Sequence, residues 1–149
     1  MKQTKKGRGT PEEAVFLELL RSCDLLARAP GQFLKSEDLS STQYNVLRIL
    51  RGAQPAGLAC GDIADRMITR DPDITRLLDR LEKRELISRC RETKDRRMVV
   101  ARITPQGLKL VERLDQPVQA IHRKQLGHLG NAKLKKLRDL LAAARSRVA

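Results

Sequence analysis

The sequence predicts a mainly α-helical fold with one small β-hairpin. Three features point there. Helix-capping signals stand at Thr10-Pro11, Ser40, Asp71-Pro72 and Thr104-Pro105, each ahead of apolar residues at three- and four-residue steps. β-branched residues gather in one short stretch, Met98–Ile103. The chain has 149 residues, 40% of them hydrophobic, which suits one domain with extensions and a sizeable core.

Met1–Thr10 carries Lys2, Lys5, Lys6 and Arg8 with no apolar run behind them, so it reads as a flexible basic arm rather than a signal peptide. Thr10 then caps a helix, Pro11 takes its first position and Glu13 closes a capping box. Phe16, Leu19, Leu20, Cys23, Leu26 and Ala27 line one face, and Pro30-Gly31 is expected to end it. After a polar link to Asp38, Ser40 and Gln43 repeat the capping-box spacing. Val46, Leu47 and Leu50 mark a second helix that stops at Gly52, and Ala53–Ala59 reads as a loop.

From Gly61, residues Ile63, Ala64 and Met67 make a short helix, followed by a turn at Thr69-Arg70-Asp71. Asp71-Pro72 is expected to start the next helix as cap and first residue. Ile74, Leu77, Leu78 and Leu81 form its apolar face, and Thr75, Arg76, Asp79, Arg80 and Lys83 its outer one. Two short helices around a polar turn, the second basic outside, form a helix-turn-helix pattern, although a solvated charged face has the same composition. Leu86–Arg91 and Met98–Ile103 then flank a charged tip, Glu92–Arg97, in which Lys94, Arg96 and Arg97 surround Asp95. A charged hairpin directly after a candidate recognition helix is a wing, and together they predict a winged helix-turn-helix.

Thr104-Pro105 opens a long helix striped by Leu108, Val111, Leu114, Val118 and Ile121, with a kink expected at Pro117. Gly127 and Gly130 bracket a turn, Asn131 is expected to cap the last helix, and Leu134, Leu137, Leu141, Ala144 and Val148 give it a heptad-like seam. The winged unit can close its core without these terminal helices. The expected organisation is therefore a basic arm at 1–10, a helical dimerisation region at 11–38 and 105–149, and a winged helix-turn-helix domain at 39–104; the alternative is that the terminal helices pack only on their own subunit.

A net charge of +13 calls for a polyanionic partner. Two phenylalanines, one tyrosine and no tryptophan argue against a reader of single strands, which stacks bases on rings, so duplex DNA is the expected partner. No apolar run is long enough for a membrane helix, and the expected compartment is the cytoplasm. Cys23, Cys60 and Cys90 are odd in number and widely spaced, which excludes a complete disulfide framework and a CxxC zinc pair and reads first as three small core residues. His122 and His128 lack clustered acidic partners, and the chain has no nucleophile–base set, so no metal, cofactor or enzymatic activity is expected.

Leu39–Leu47 (LSSTQYNVL), Ile74–Lys83 (ITRLLDRLEK), Asp95-x-Arg97 and Ile103-Thr104 with Gly107 resemble the second helix, recognition helix, wing and fifth-helix signature of the MarR family of bacterial transcriptional regulators. Two positions depart from the family pattern: Glu85 stands where a glycine usually follows the recognition helix, and no glycine occurs around Ile68. The resemblance implies a homodimer on a pseudo-palindromic operator, usually as a repressor; an architectural, sequence-independent duplex binder is the alternative that charge alone permits. Within this frame Arg76 suits a guanine, Thr75 a base or phosphate, and Arg70 and Arg80 phosphates. Asp95 is expected to hold Arg97 by a charge-assisted bond and aim it into the minor groove, with Lys94 and Arg96 on the backbone. Asp73 has two readings, acceptor for a cytosine amino group or complement to the helix N-terminus. The resemblance also implies an effector pocket, which Phe16, Tyr44 and Arg48 would line for a small aromatic or anionic ligand; the same residues also read as core and solvated surface. Cys23 is the candidate redox position, as in relatives that sense oxidants through a thiol.

Overall fold

The computed structural model describes residues 9–148, so residues 1–8 of the expected basic arm lie outside it. The elements run α1 (Pro11–Ser36), α2 (Ser41–Gly52), β1 (Leu58–Ala59), α3 (Cys60–Arg66), α4 (Ile74–Lys83), β2 (Ile87–Arg91), β3 (Val99–Ile103), α5 (Pro105–Leu126), a 3₁₀ turn (Gly127–Leu129) and α6 (Gly130–Arg145). This is the predicted class, mainly helical with a small β wing. The sheet is antiparallel in the order β1-β3-β2, with Ile87 opposite Ile103, Arg91 opposite Val99, and Leu58 opposite Ala101.

The winged unit packs around one core that it shares with α5, so it does not close its core without the terminal helices as the sequence suggested. Val46, Leu47 and Leu50 of α2, Ile63 of α3, Leu78 and Leu81 of α4, Ile87 and Ala101 of the sheet, and Val111 and Leu114 of α5 are all essentially inaccessible to water. α1 adds only Leu34 to this buried set, and α6 has no buried residue. Ser40 caps α2 as expected: its Oγ accepts from Gln43 N at 3.0 Å while Gln43 Oε1 accepts from Ser40 N at 2.9 Å.

Four boundaries differ from the sequence expectation. α1 does not stop at Pro30-Gly31 but continues to Ser36. A proline inside a helix leaves the carbonyl four residues earlier without a donor; here that carbonyl is Leu26 O, and Gln125 Nε2 of α5 donates to it at 3.1 Å. The packing of α5 thus replaces the missing bond. Ala53–Ala59 is not all loop, because Leu58-Ala59 pairs with β3. α4 starts at Ile74, not at Pro72. α6 runs directly out of the 3₁₀ turn, with Gly130 at φ 76 at the junction, so Asn131 lies inside the helix instead of capping it. α5 remains continuous through Pro117.

Two helix ends share one geometry. After α1, Asp38 takes φ 57 while Leu39 N donates to Leu34 O at 2.9 Å and Asp38 N to Lys35 O at 3.1 Å. After α4, Glu85 takes φ 58 while Leu86 N donates to Leu81 O at 3.1 Å and Glu85 N to Glu82 O at 2.8 Å. Both are Schellman caps, each with its pair of leucines in the core. Glu85 therefore adopts the left-handed conformation that glycine usually fills, at a cost of about 1–2 kcal/mol.

α5 begins directly against the second of these caps. Thr104 N donates to Leu86 O at 3.1 Å, its Oγ1 donates to Glu85 O at 2.6 Å, and the same hydroxyl accepts from Gly107 N at 3.0 Å. A Cβ on Gly107 would sit 2.1 Å from Leu86 O and 2.9 Å from Ile103 Cγ1. Gly107→Ala is therefore expected to destabilise the fold by about 1–3 kcal/mol. Glu85→Gly relieves the left-handed cap and loses some of that gain to chain entropy, for a net stabilisation of about 0.5–1 kcal/mol. Urea unfolding midpoints moving in opposite directions for the two variants are the check.

Candidate nucleic-acid interface

The start of α4 is set by two aspartates in series. Asp71 Oδ1 accepts from Asp73 N at 2.9 Å, closing an Asx turn, and Asp73 Oδ1 accepts from Arg76 N at 3.1 Å as the cap. Asp71 is therefore occupied two residues ahead of the cap position and does not cap the helix. Of the two readings of Asp73, the contact made is with the helix N-terminus. Thr75, Arg76 and Arg80 are all exposed on α4. Arg76 Nε stands 3.8 Å from Asp73 Oδ2, and Arg70 Nη2 donates to Asp65 at 3.1 Å across the turn after α3. The turn itself is held by Asn45 of α2, whose Oδ1 accepts from Ile68 N at 2.9 Å. A groove of about 380 Å³ separates the start of α2 (Ser40, Thr42, Gln43) from Arg76 and Arg80. Its α2 wall was readable from the sequence only as a cap.

The wing tip, Lys94 to Arg97, is exposed throughout. Glu92 N donates to Met98 O at 2.9 Å and Met98 N to Asp95 O at 3.0 Å, closing the loop. Asp95 Oδ1 accepts from the backbone N of Arg97 at 3.0 Å. This corrects the expected Asp95–guanidinium bond: the carboxylate shapes the turn, as aspartate does two residues ahead of an amide, and the Arg97 side chain is positioned through its backbone.

Arg89 on β2 couples helix and wing, a role its sequence position did not signal. Its Nε donates to Glu82 Oε2 at 2.9 Å and its Nη2 donates to Asp79, both on α4. The hydrogen bond to Glu82 outweighs the cost of burial, and with Asp79 it raises the guanidinium pKa.

α2 is joined to α5 by a second cluster. Tyr44 OH donates to Asp115 Oδ1 at 3.1 Å, Arg51 pairs with the same carboxylate, and the Arg48 guanidinium lies 5.8 Å from the centre of the Tyr44 ring. Burial, and then the bond to Asp115, raise the Tyr44 pKa. For Asp115 burial is the largest influence and acts upward, but the bonds from Arg51 and Tyr44 together hold the pKa below its ordinary value. Of the expected effector residues, Tyr44 and Arg48 are thus brought together. Phe16 is 58% exposed on α1, among Val15, Leu17, Leu20 and Leu25, which are also exposed. The three cysteines are not all core: Cys60 is partly buried against it, while Cys23 and Cys90 are exposed. Cys23 lies on the α1 stripe that this chain leaves largely uncovered. Among the described residues no helix is long and apolar enough to cross a membrane.

A capped helix with exposed arginines, a pinned turn before it and a basic wing rigidly tied to it define a winged helix-turn-helix DNA-binding protein. Residues 39–99 match the model of the MarR family. The chain is 40% identical to a MarR transcription factor from Planctomyces limnophilus, whose crystal structure covers 93% of this chain and 99% of its own at a TM-score of 0.70. It is 28% identical over 129 residues to the HTH-type transcriptional regulator FarR of Neisseria gonorrhoeae, 87% of each chain. The fold also matches BpsR of Bordetella bronchiseptica, a protein whose DNA binding is regulated by 6-hydroxynicotinic acid, at 24% identity and a TM-score of 0.82 over 94% of this chain and 99% of that one. The chain belongs to the MarR family of transcriptional regulators.

The Asp115 cluster has a defined pH signature. A carboxyl with a lower pKa folded than unfolded binds fewer protons in the folded state. Its contribution is therefore complete above the ordinary 3.8 and is lost as pH falls through the lowered folded value. Asp115→Asn is expected to cost about 1–2 kcal/mol at pH 7, the lower part of the range for bonds to charged groups because the pair is partly solvated. Denaturant titrations should show the gap to the parent protein closing only below pH 3.8.

Proposed function

We propose that the protein is a homodimeric transcriptional repressor that reads a pseudo-palindromic operator with α4 and the wing and releases it on binding a small effector. The observation that carries this reading is the exposed row Thr75, Arg76 and Arg80 on a helix locked by Arg89 to a wing bearing Lys94, Arg96 and Arg97. Arg76, third in α4, stands where a recognition helix reaches base edges, and Thr75 beside it meets a base or phosphate. Arg70 and Arg80 meet phosphates; Lys94 and Arg96 follow the backbone while Arg97 enters the minor groove.

The case for a second copy comes from uncovered apolar surface. Leu137 and Leu140 of α6 and Val15, Phe16, Leu17, Leu20 and Leu25 of α1 are exposed in the single chain. A two-fold dimer built on these helices would have to hold its paired α4 helices about 34 Å apart, one turn of duplex, to read successive major grooves. Cys23 then lies on the dimer region, where thiol oxidation would act on the pairing of the subunits. The effector reading draws on the ligand-regulated relative and on the cation beside the Tyr44 ring, with Phe16 completing the pocket only if the partner covers it.

Selection of bound genomic fragments tests the regulator against the architectural alternative. A short inverted repeat is the expected product; recovery of unrelated fragments, with a steep salt slope, overturns the reading. Arg76→Ala should lower discrimination by about 1–3 kcal/mol at one base pair per half-site. Arg97→Ala should weaken operator binding without changing which base is preferred at that position. Competition titrations at fixed salt distinguish the two, and equal losses on operator and random DNA would reduce Arg76 to a phosphate contact. Sedimentation equilibrium should return a dimer.

A further inference from the structure

Outside α1, α6 and Val148, the described residues leave two large apolar side chains exposed, Ile68 and Met98. Ile68 lies in the turn between α3 and α4, and Met98 lies where the wing tip joins β3. Ile68 is the more open of the two, at 87% exposure against 44%. Its direction is set by the backbone. Met67 leaves α3 with φ −66 and ψ 142, an extended geometry in which successive side chains point to opposite sides. Met67 is buried in the core, so Ile68 points away from it. Asn45 Oδ1 accepts from the Ile68 amide at 2.9 Å and holds the turn in place. No residue of this turn has a positive φ, so its geometry does not call for the glycine that the sequence lacks here.

We infer that Ile68 reads one thymine of each operator half-site through the C5 methyl group of the base. This rests on the reading of α4 and the wing as a duplex-reading surface, and it adds a specificity residue that is not on α4. An isoleucine side chain has no donor or acceptor, so it offers nothing to a phosphate. The apolar group that base edges present in the major groove is the thymine methyl. Ile68 stands five residues ahead of the Asp73 cap, on the turn leading into the helix proposed to enter that groove. Arg66 and Arg70, two residues away on either side, are exposed and suit the phosphates that border the groove. The side chain is also prepared for such a contact. Branching at Cβ leaves it few rotamers and the Asn45 bond fixes its backbone, so little freedom is lost on binding. Met98 belongs to the wing, and the minor groove presents no methyl group to it.

The test is a scan of the selected operator in which each thymidine in turn is replaced by deoxyuridine, which removes the methyl and keeps the base pair. Affinity is read by anisotropy at fixed salt for the full-length parent protein and for Ile68→Ala. At one position deoxyuridine is expected to weaken parent binding about fourfold for each half-site that carries it, the effect of one buried methyl. Ile68→Ala should bind the unmodified operator more weakly and be indifferent to deoxyuridine at that position. Its thermal midpoint without DNA should equal that of the parent, because the side chain buries almost nothing in its own chain. A flat scan in the parent, or the same deoxyuridine penalty in Ile68→Ala, overturns the contact and leaves the regulator reading standing. Sensitivity lost together with a lower midpoint assigns Ile68 to packing and also overturns the contact. Failure to select any operator overturns the regulator reading, and the Ile68 contact with it.

Discussion

Thr104 joins the end of the recognition helix to the start of α5, and the rest of the molecule is arranged around that joint. One side chain donates to Glu85 O and accepts from Gly107 N, while its own amide donates to Leu86 O. Four elements converge within these residues: α4 ends, β2 begins, β3 ends and α5 begins. The bonds require Glu85 to stay left-handed and Gly107 to lack a side chain, so local strain and a close backbone approach are accepted together. The end of α4 is thus held to the start of α5 by one short side chain and by backbone groups, and Arg84 adds a tie to the Asp38 carbonyl at the end of α1.

The wing is fixed differently. Arg89 reaches from β2 to two carboxylates on α4, and α2 reaches α5 through Tyr44, Arg51 and Asp115. These are partly buried, bonded clusters, in which each added partner restricts the others. The arginines proposed to meet DNA sit instead in exposed pairs, Arg76 with Asp73 and Arg70 with Asp65, of the kind that contributes little stability. Such pairs orient a guanidinium and exchange readily for a phosphate or base edge. The contrast separates what holds the scaffold from what is free to contact a ligand.

The helices of the winged unit were legible because their signals are local. Ser40 with Gln43, the i, i+3, i+4, i+7 leucines of α4, and the β-branched run of β3 each depend on neighbours within one or two turns. Three of the misreadings involve distant partners or competing neighbours. Pro30 marked a helix end until Gln125, far along the chain, satisfied the orphaned Leu26 carbonyl. β1 is two residues long and exists only through β3. Asp71 and Asp73 are equally good caps by composition, and only the Asx turn decides between them. At the interface, Arg76, Arg80 and the wing cations could be named from spacing, whereas Arg89 and Asn45 could not, since their partners lie on other elements. Cys23 read as core because its stripe is apolar; this chain alone does not cover it.

The distribution of charge follows from the same division of labour. Of the net +13, residues Arg70–Arg97 hold only +3, while Pro105–Ala149 hold +7. A reading head with a large excess of cations would bind any duplex tightly and leave little of its affinity to depend on sequence. Interleaving Asp73, Asp79, Glu82 and Asp95 with the arginines caps the helix, anchors Arg89 and shapes the wing turn, and it also keeps the local field modest. The surplus on α5 and α6 lies outside the reading head, where it acts at longer range and is screened by salt. Net charge is therefore a weak guide to where this chain meets DNA. The better guide is which arginines remain exposed after the carboxylates around them have been assigned to structural tasks.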